Sequence, residues 1–190
     1  LVRVMRWHGL EVRTGDVDGE AVRRWGWDRE WDFIRAVQND RVWGDVDWIV
    51  TNPPYALQHG EKYTACDFVY ASLKVARRGV AVLVRQSFLE PTITERAALY
   101  SLHPPALVYQ LPRFSFTGNG RNDMAACVWI VWLKDQPLRW SYQTKSTYSW
   151  STKLSWVQQH QLDEARKRLP PEVLCGGDGY SDLPLFAHPR

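Results

Sequence analysis

The sequence predicts an α/β fold with a mostly parallel sheet and an antiparallel last strand. Apolar runs typical of buried strands, such as 80–84, alternate with amphipathic segments typical of helices, such as 65–77. This alternation is characteristic of a parallel sheet covered by helices. The polar segment 117–123 separates the last two predicted strands. It is too short for a crossover helix, so that pair is expected to be antiparallel.

Composition limits the class of protein. The chain has 190 residues, of which 45% are hydrophobic and 24% are charged, which is typical of a globular domain and excludes a disordered one. No apolar run approaches the roughly 20 residues of a membrane helix, and the first residues show no pattern that predicts a signal peptide. Three widely spaced cysteines match neither a disulfide framework nor a zinc site, which favours a cytoplasmic location. No metal-ligand set is apparent.

Local patterns give the elements in order. Residues 1–8 resemble the last turns of a helix, and a short strand over 10–15 runs into a turn-rich stretch containing Gly15 and Gly19. Residues 20–46 show no regular pattern. After the amphipathic helix over 65–77, Gly79 is expected to be its C-cap. The remaining predicted elements are strands over 47–51, 80–84, 106–111 and 125–133, with helices over 95–102 and 162–169.

The composition changes near residue 135. From there aromatic residues alternate with Ser, Thr, Lys and Arg, and the chain ends in a segment rich in Pro and Gly. We therefore expect one domain over 1–135 and an aromatic, basic extension over 136–190 that is partly without order. Residues 51–190 carry 16 Lys and Arg against 11 Asp and Glu, which mildly favours a nucleic-acid partner.

The most informative segment is Asn52-Pro53-Pro54-Tyr55, which follows a predicted buried strand. Two prolines fix their own φ angles, donate no backbone hydrogen bond and keep the preceding residues out of the helical region. The turn therefore presents acceptors only, the Asn52 side-chain oxygen and the Pro53 carbonyl. Two fixed acceptors suit a group with two N–H bonds, and Tyr55 offers a flat face to a planar substrate. The alternative is a turn that merely ends a strand.

The segment 47–55, Asp-Trp-Ile-Val-Thr-Asn-Pro-Pro-Tyr, resembles the catalytic motif of S-adenosylmethionine-dependent amino-methyltransferases. The DNA adenine-N6 enzymes of phages and prophages are the most similar group, and the resemblance extends over about residues 8–133. It implies a Rossmann-like methyltransferase sheet and transfer of a methyl group from S-adenosylmethionine to the N6 amine of a flipped adenine in DNA. The expected setting is phage biology or restriction–modification, in the cytoplasm of a bacterial host or a phage-infected cell.

The resemblance also implies roles for further residues. Asn52, Pro53, Pro54 and Tyr55 correspond to the catalytic motif. Cofactor contacts are implied for the ribose or methionine at Asp16 and for the adenine at Asp32 and Phe33. Substrate contacts are implied for Tyr55 and Phe116, whose aromatic rings would stack on the flipped base. Arg113, a basic residue at the start of the same loop as Phe116, is a candidate contact of a DNA phosphate.

Each of these roles has a structural alternative. Asp32 is either a cofactor ligand or the N-cap of a helix. Asp16, which directly follows the predicted strand, is preferred to Asp18, and both are also turn formers. Phe116 is either a stacking residue or part of the core, with Phe114 as the other stacking candidate. Arg113 is either a phosphate contact or a solvated surface residue.

One family feature has no counterpart. The glycine-rich loop that holds the methionine end of the cofactor would precede the strand over 10–15, and the sequence before Leu10 contains none. We expect the first strand and this loop to lie upstream of Leu1, and the chain as given to bind the cofactor weakly. Three other functions stay open. Two of them are methyl transfer to the NH2 group of a protein glutamine or to N2 of an RNA guanine. The third is that of an inactive, prophage-derived remnant that binds nucleic acid.

Overall fold

The structure is a computed structural model that describes residues 1–41, 44–54, 63–90, 94–113, 126–134, 141–142, 148–149, 153–156 and 158–174. The described residues fall into two compact units. Unit 1 contains Leu1–Phe33 with parts of Pro112–Met124 and Val157–Arg190, and unit 2 contains parts of Ile34–Leu111 and Ala125–Trp156.

The elements of the first 38 residues are short. They are α1 (Val2–Trp7), β1 (Gly15–Asp16), α2 (Gly19–Trp25), β2 (Arg29–Glu30) and α3 (Phe33–Gln38). The elements of the rest are β3 (Val46–Thr51), α4 (Ala65–Val75), β4 (Ala76–Arg85), the 3-10 turn η1 (Gln86–Leu89), α5 (Thr94–Leu102), β5 (Leu107–Gln110), β6 (Cys127–Leu133), β7 (Ser141–Tyr142), β8 (Tyr148–Ser149), β9 (Lys153–Trp156), α6 (Gln159–Lys167) and α7 (Pro171–Leu174).

Unit 2 is built on a five-stranded sheet in the order β3-β4-β6-β5-β9. β3 is parallel to β4, β6 is antiparallel to both β4 and β5, and β9 is parallel to β5. Four of the five strands therefore run in one direction. The predicted α/β fold, the mostly parallel sheet and the antiparallel pair at 106–133 are confirmed, while β9 follows in the chain as a further parallel strand.

The core of unit 2 lies between the sheet and its helices. Val80, Val82 and Val84 on β4 are at most 1% exposed, and they cluster with buried residues of β6, α4 and α5. The alternate β4 residues Ala81 and Leu83 are half-buried. The apolar run predicted a strand buried on both faces, and the structure buries one face completely and the other in part.

The predicted C-cap at Gly79 is wrong. α4 ends at Val75, and Gly79 lies inside β4, which begins at Ala76. The carbonyls of Leu73 and Ala76 accept hydrogen bonds from the Lys134 ammonium at 3.0 and 2.7 Å. Lys134, which directly follows β6, therefore provides a hydrogen-bond donor for carbonyls at the end of α4, where a left-handed glycine was expected.

The region before β3 also differs from the prediction. Of the predicted strand over 10–15, only Gly15 lies in a sheet, where β1 (Gly15–Asp16) pairs in parallel with Arg29–Glu30. Residues 20–46, for which no regular structure was predicted, contain most of α2, β2, α3 and the start of β3. Short elements of this length carry too few periodic positions to be read from a pattern.

Candidate functional site

The Asn52-Pro53-Pro54 segment leaves the sheet at the carboxyl end of β3. β3 ends at Thr51, as expected where two successive residues lack a backbone N–H. Asn52 is exposed, Pro53 is buried and Pro54 is half-buried. The buried proline ring holds the turn in place while the asparagine side chain remains accessible, so this corner is not sealed within the core.

Several chain segments meet at this edge of the sheet. Thr51 pairs with Val82, three residues before the end of β4 at Arg85, so β3 and β4 both end at this edge. β5 also ends here and β6 begins here, with Gln110 paired to Val128 and Arg85 paired to Cys127. Ligands of parallel α/β sheets bind beyond this carboxyl edge.

The turn that follows β4 is held by α5. The Tyr100 hydroxyl donates to the Phe88 carbonyl at 2.7 Å, and the Arg96 guanidinium donates to the Ser87 carbonyl. The Arg96 guanidinium also lies 5.8 Å from the centre of the Phe88 ring, and that ring packs edge-to-face on Tyr100. Burial raises the pKa of Tyr100, so its hydroxyl keeps its proton and remains a donor. These contacts fix η1 after the end of β4.

A second contact from α5 holds the start of α4. The Thr64 backbone N–H donates to the Asp67 carboxylate at 2.7 Å, and the Asp67 N–H donates to the Thr64 hydroxyl, which together form a capping box. The Thr64 hydroxyl also lies 3.1 Å from the Glu95 carboxylate on α5. α5 therefore contacts both η1, which follows β4, and the start of α4.

The predicted cofactor residues lie in unit 1, at one edge of its small parallel sheet. β1 ends at Asp16, and Asp32 and Phe33 follow the neighbouring strand β2. The Trp31 N–H donates to the Asp16 carbonyl at 2.6 Å, and Trp31 packs edge-to-face on Phe33 with 5.5 Å between ring centres. The structure therefore brings Asp16 close to the segment that contains the other two predicted residues.

The two acidic residues after β1 have different structural roles. The Asp18 carboxylate accepts from the N–H groups of Glu20 and Ala21, which makes it the N-cap of α2. One carboxylate oxygen of Asp16 accepts from the Asp18 N–H at 2.9 Å, and Asp16 is half-buried. Since Asp18 is committed to the cap, Asp16 is the better candidate for a ligand contact. Asp32 directly precedes the first residue of α3.

Thr14 and Asp28, which precede the two strands of this small sheet, are joined by three hydrogen bonds. The Thr14 hydroxyl donates to the Asp28 carboxylate at 2.8 Å and accepts from the Asp28 N–H at 3.0 Å, while the Thr14 N–H donates to the same carboxylate. These hydrogen bonds lower the pKa of Asp28. They connect the residue before β1 to the residue before β2.

The donor and acceptor set fits one part of the implied cofactor. Carboxylates such as Asp16 and Asp32 can accept from ribose hydroxyls, and Phe33 is a half-buried aromatic residue beside Asp32. These residue types are chemically compatible with the adenosine half of S-adenosylmethionine. Among the described residues, no glycine-rich loop follows a strand to hold the methionine half.

The remaining predicted residues are those expected to contact the DNA substrate. Tyr55, Phe116 and the rival Phe114 lie outside the described residues. Arg113 is exposed and belongs to unit 1. In the described part of the chain, no group of three or more His, Cys, Asp and Glu side chains is placed to hold a metal ion. No described helix is long and apolar enough to cross a membrane.

The structure also adds residues that the sequence did not indicate. Gln86, Arg96 and Tyr100 lie in or against the turn after β4, and Glu95 lies against the start of α4. No sequence signal identifies them, because their significance depends on the pairing of β3 with β4 and on the packing of α5.

No known protein family matches the sequence, and no curated protein is significantly similar to it. Solved structures do show a likeness. One is the chain described as a modification subunit of a type I restriction enzyme from Vibrio vulnificus YJ016, with a TM-score of 0.49 and 16% identity over 82% of this chain and 41% of that one. Another comes from a type I restriction–modification system, with a TM-score of 0.41 and 18% identity over 69% and 30% of the two chains. This chain spans less than half the length of either.

Proposed function

We propose that this chain belongs to a DNA methyltransferase that transfers a methyl group from S-adenosylmethionine to the N6 amine of adenine. The observation that carries the proposal is an exposed Asn52 followed by a buried Pro53 at the carboxyl edge of the sheet. This turn has two oxygen acceptors, no proline N–H, and an anchored backbone.

The chemistry follows from the target amine. Its lone pair is delocalised into the ring, so the amine is a weak nucleophile. The Asn52 oxygen and the Pro53 carbonyl would accept its two N–H groups and favour a tetrahedral nitrogen whose lone pair points out of the ring plane. When bound, S-adenosylmethionine supplies a methyl group on an electrophilic sulfonium. No strong base would be needed: forming the N–C bond would break the methyl–sulfur bond and leave a neutral thioether, and the nitrogen proton, then acidic, would pass to water.

Positioning supplies most of the proposed acceleration. Holding two reactants in an attack geometry contributes up to about 7–11 kcal/mol, and fixed carbonyl dipoles stabilise the positive charge that develops on nitrogen. Asp16, Asp32 and Phe33 would hold the adenosine half of the cofactor.

The DNA substrate adds a further requirement. Reaching an adenine in duplex DNA costs a few kcal/mol for base flipping. Stacking on Tyr55 and Phe116 would recover about 1–3 kcal/mol per base. Arg113, which is exposed, would contact a phosphate.

The test is methyl transfer by the protein expressed from its complete coding sequence. Duplex DNA is incubated with labelled S-adenosylmethionine, digested to nucleosides and analysed by mass spectrometry, and we expect N6-methyladenine. Asn52→Ala should lower the rate by about 10²–10³-fold, as the loss of one preorganised transition-state contact does. Asn39→Ala, at an exposed asparagine after α3, is the matched control and should keep full activity.

Three results would contradict the proposal. Label that enters a protein glutamine or an RNA guanine while DNA stays unlabelled would assign the site to another amine. Full activity of Asn52→Ala on adenine would remove the proposed role of the turn. The absence of transfer to any substrate, together with retained DNA binding, would indicate the inactive remnant.

A further inference from the structure

Trp31 joins the two strands of unit 1 at the edge where the predicted cofactor residues lie. It directly follows β2, and its backbone N–H donates to the carbonyl of Asp16, the last residue of β1, at 2.6 Å. This hydrogen bond extends the parallel pairing of Asp16 with Glu30 by one residue. Because each strand has only two residues, the bond from Trp31 is an important part of what holds the segment after β2 against the end of β1.

The Trp31 side chain contacts two neighbours. Its ring packs edge-to-face on Phe33, with 5.5 Å between the ring centres and 74° between the ring planes. The Arg29 guanidinium lies 5.6 Å from the centre of the Trp31 ring. Aromatic and cation–π contacts of this kind are directional, so the Trp31 ring limits the orientations that are open to Phe33. All three residues belong to unit 1.

Asp16 is held through both its backbone and its side chain. Its carbonyl accepts from the Trp31 N–H, and one of its carboxylate oxygens accepts from the Asp18 N–H at 2.9 Å. Asp18 is itself fixed as the N-cap of α2. Among the described residues, the second carboxylate oxygen of Asp16 accepts no hydrogen bond. Asp16 therefore keeps one acceptor on an anchored residue, and Trp31 provides one of the two anchors.

We propose that Trp31 is a positioning residue for cofactor binding, which acts through Asp16 and Phe33. Its N–H holds Asp16, the implied contact of the ribose, and its ring holds Phe33, an implied contact of the adenine. This inference rests on the proposed function, which assigns those two residues to the adenosine half of S-adenosylmethionine. The ring is the part that substitutions test, since every residue except proline keeps the backbone N–H.

The test measures binding rather than turnover. Isothermal titration calorimetry follows the binding of S-adenosylhomocysteine, the product that remains after methyl transfer, to the protein expressed from its complete coding sequence. We expect Trp31→Leu to weaken binding by about three- to tenfold, the range of one aromatic contact. Trp31→Phe, which keeps a ring beside Phe33, should bind almost as tightly as the unmodified protein. Thermal unfolding checks that each variant is folded, and Trp31→Met replaces Trp31→Leu if the latter is not.

A double-mutant cycle separates positioning from general support of unit 1. If Trp31 acts through Phe33, Trp31→Leu should have little further effect on affinity in a chain that already carries Phe33→Leu. A merely structural role would instead reduce the affinity by the same factor in both backgrounds. Trp25→Leu is the matched control, because Trp25 is also half-buried and the Arg24 guanidinium lies 5.0 Å from its ring centre. This control should keep the affinity of the unmodified protein, whatever stability it loses.

The outcomes separate the two proposals. The role of Trp31 is wrong, and the proposed function stands, if Phe33→Leu weakens binding but Trp31→Leu does not, or if the two losses add in the double variant. The same conclusion follows if Trp31→Phe or Trp25→Leu binds as weakly as Trp31→Leu. If neither Phe33→Leu nor Asp16→Ala weakens binding, or if S-adenosylhomocysteine does not bind at all, the proposed cofactor site is wrong, and the Trp31 proposal fails with it.

Discussion

At the scale of single residues, contact distances decide what each position tolerates. Gly79 lies inside β4 with the Trp48 ring directly over it, and a Cβ built on it would lie 2.9 Å from the Trp132 carbonyl and closer still to that ring. A glycine here reflects close approach by a neighbouring side chain rather than a turn. The sequence predicted a C-cap because glycine is common there, and only the packing of Trp48 reveals the other cause.

We expect Gly79→Ala to lower the free energy of unfolding by about 1–3 kcal/mol, because an added methyl group overpacks the contact with Trp48. Urea denaturation of the variant measures the loss. The double variant Gly79→Ala with Trp48→Ala should recover part of it, since Trp48 is 42% exposed and its removal opens space. A single variant as stable as the original chain would show that the ring moves aside without cost.

The thiol of Cys66 is expected to be unreactive in the folded chain. Cys66 is 2% exposed on α4, and burial raises its pKa to about 12, so almost no thiolate is present at neutral pH. Iodoacetamide at pH 8 should leave it unmodified in buffer and alkylate it in urea, as measured by mass spectrometry of the peptides. Equal rates of alkylation in the two conditions would contradict its burial.

At the scale of elements, α5 holds the edge of the proposed site through its side chains. Tyr100→Phe keeps the edge-to-face packing on Phe88 and removes only the hydroxyl that bonds to the Phe88 carbonyl. We expect a loss of about 1 kcal/mol in stability and faster amide hydrogen exchange in η1. Tyr109→Phe on β5, where the hydroxyl has no hydrogen bond to a described residue, is the matched control. Equal exchange in η1 for both variants would contradict the anchoring role.

The cap of α2 gives a second prediction at this scale. Asp18 accepts from two N–H groups in the first turn, and Gly26 ends the helix with a left-handed φ of 62°. Asp18→Ala should cost about 1 kcal/mol of stability, whereas Asp18→Asn should cost little because asparagine caps equally well. Thermal unfolding by circular dichroism compares the two variants. A similar loss in both would show that charge, rather than the hydrogen bonds, is what matters.

Elements with strong local signals were predicted from the sequence, and those that depend on tertiary contacts were not. The strands around 80–84 and 125–133 were identified from apolar runs, and the helix over 65–77 from its periodicity. The strand β9 carries no such run, and it is defined only by its pairing with β5. For the site, the proline turn was identified because prolines constrain the backbone locally, whereas the contacts of Arg96 and Tyr100 with η1 depend on the packing of α5.

At the scale of the whole molecule, the two units differ in how they depend on pH. The hydrogen bonds from Thr14 lower the pKa of Asp28 in unit 1 below its ordinary value. A carboxyl group with a lowered pKa stabilises the folded state above its unfolded pKa of about 3.9, and that contribution is lost as the pH falls through the lower folded value. The buried cluster of unit 2 is apolar, and the hydrogen-bonded Asp67 carboxylate at the start of α4 lies outside it.

We therefore expect acid to weaken unit 1 first. Asp28→Asn should be less stable than the original chain at pH 7, by a modest amount because the Asp28 side chain is 46% exposed. The difference should shrink as the pH falls below about 4, where the original carboxylate also becomes protonated. Urea denaturation at several pH values, followed by backbone NMR signals of Thr14 in unit 1 and Val82 in unit 2, separates the two units. A difference that persists at pH 2, or a loss that appears first at Val82, would contradict this assignment of the acid-sensitive contact.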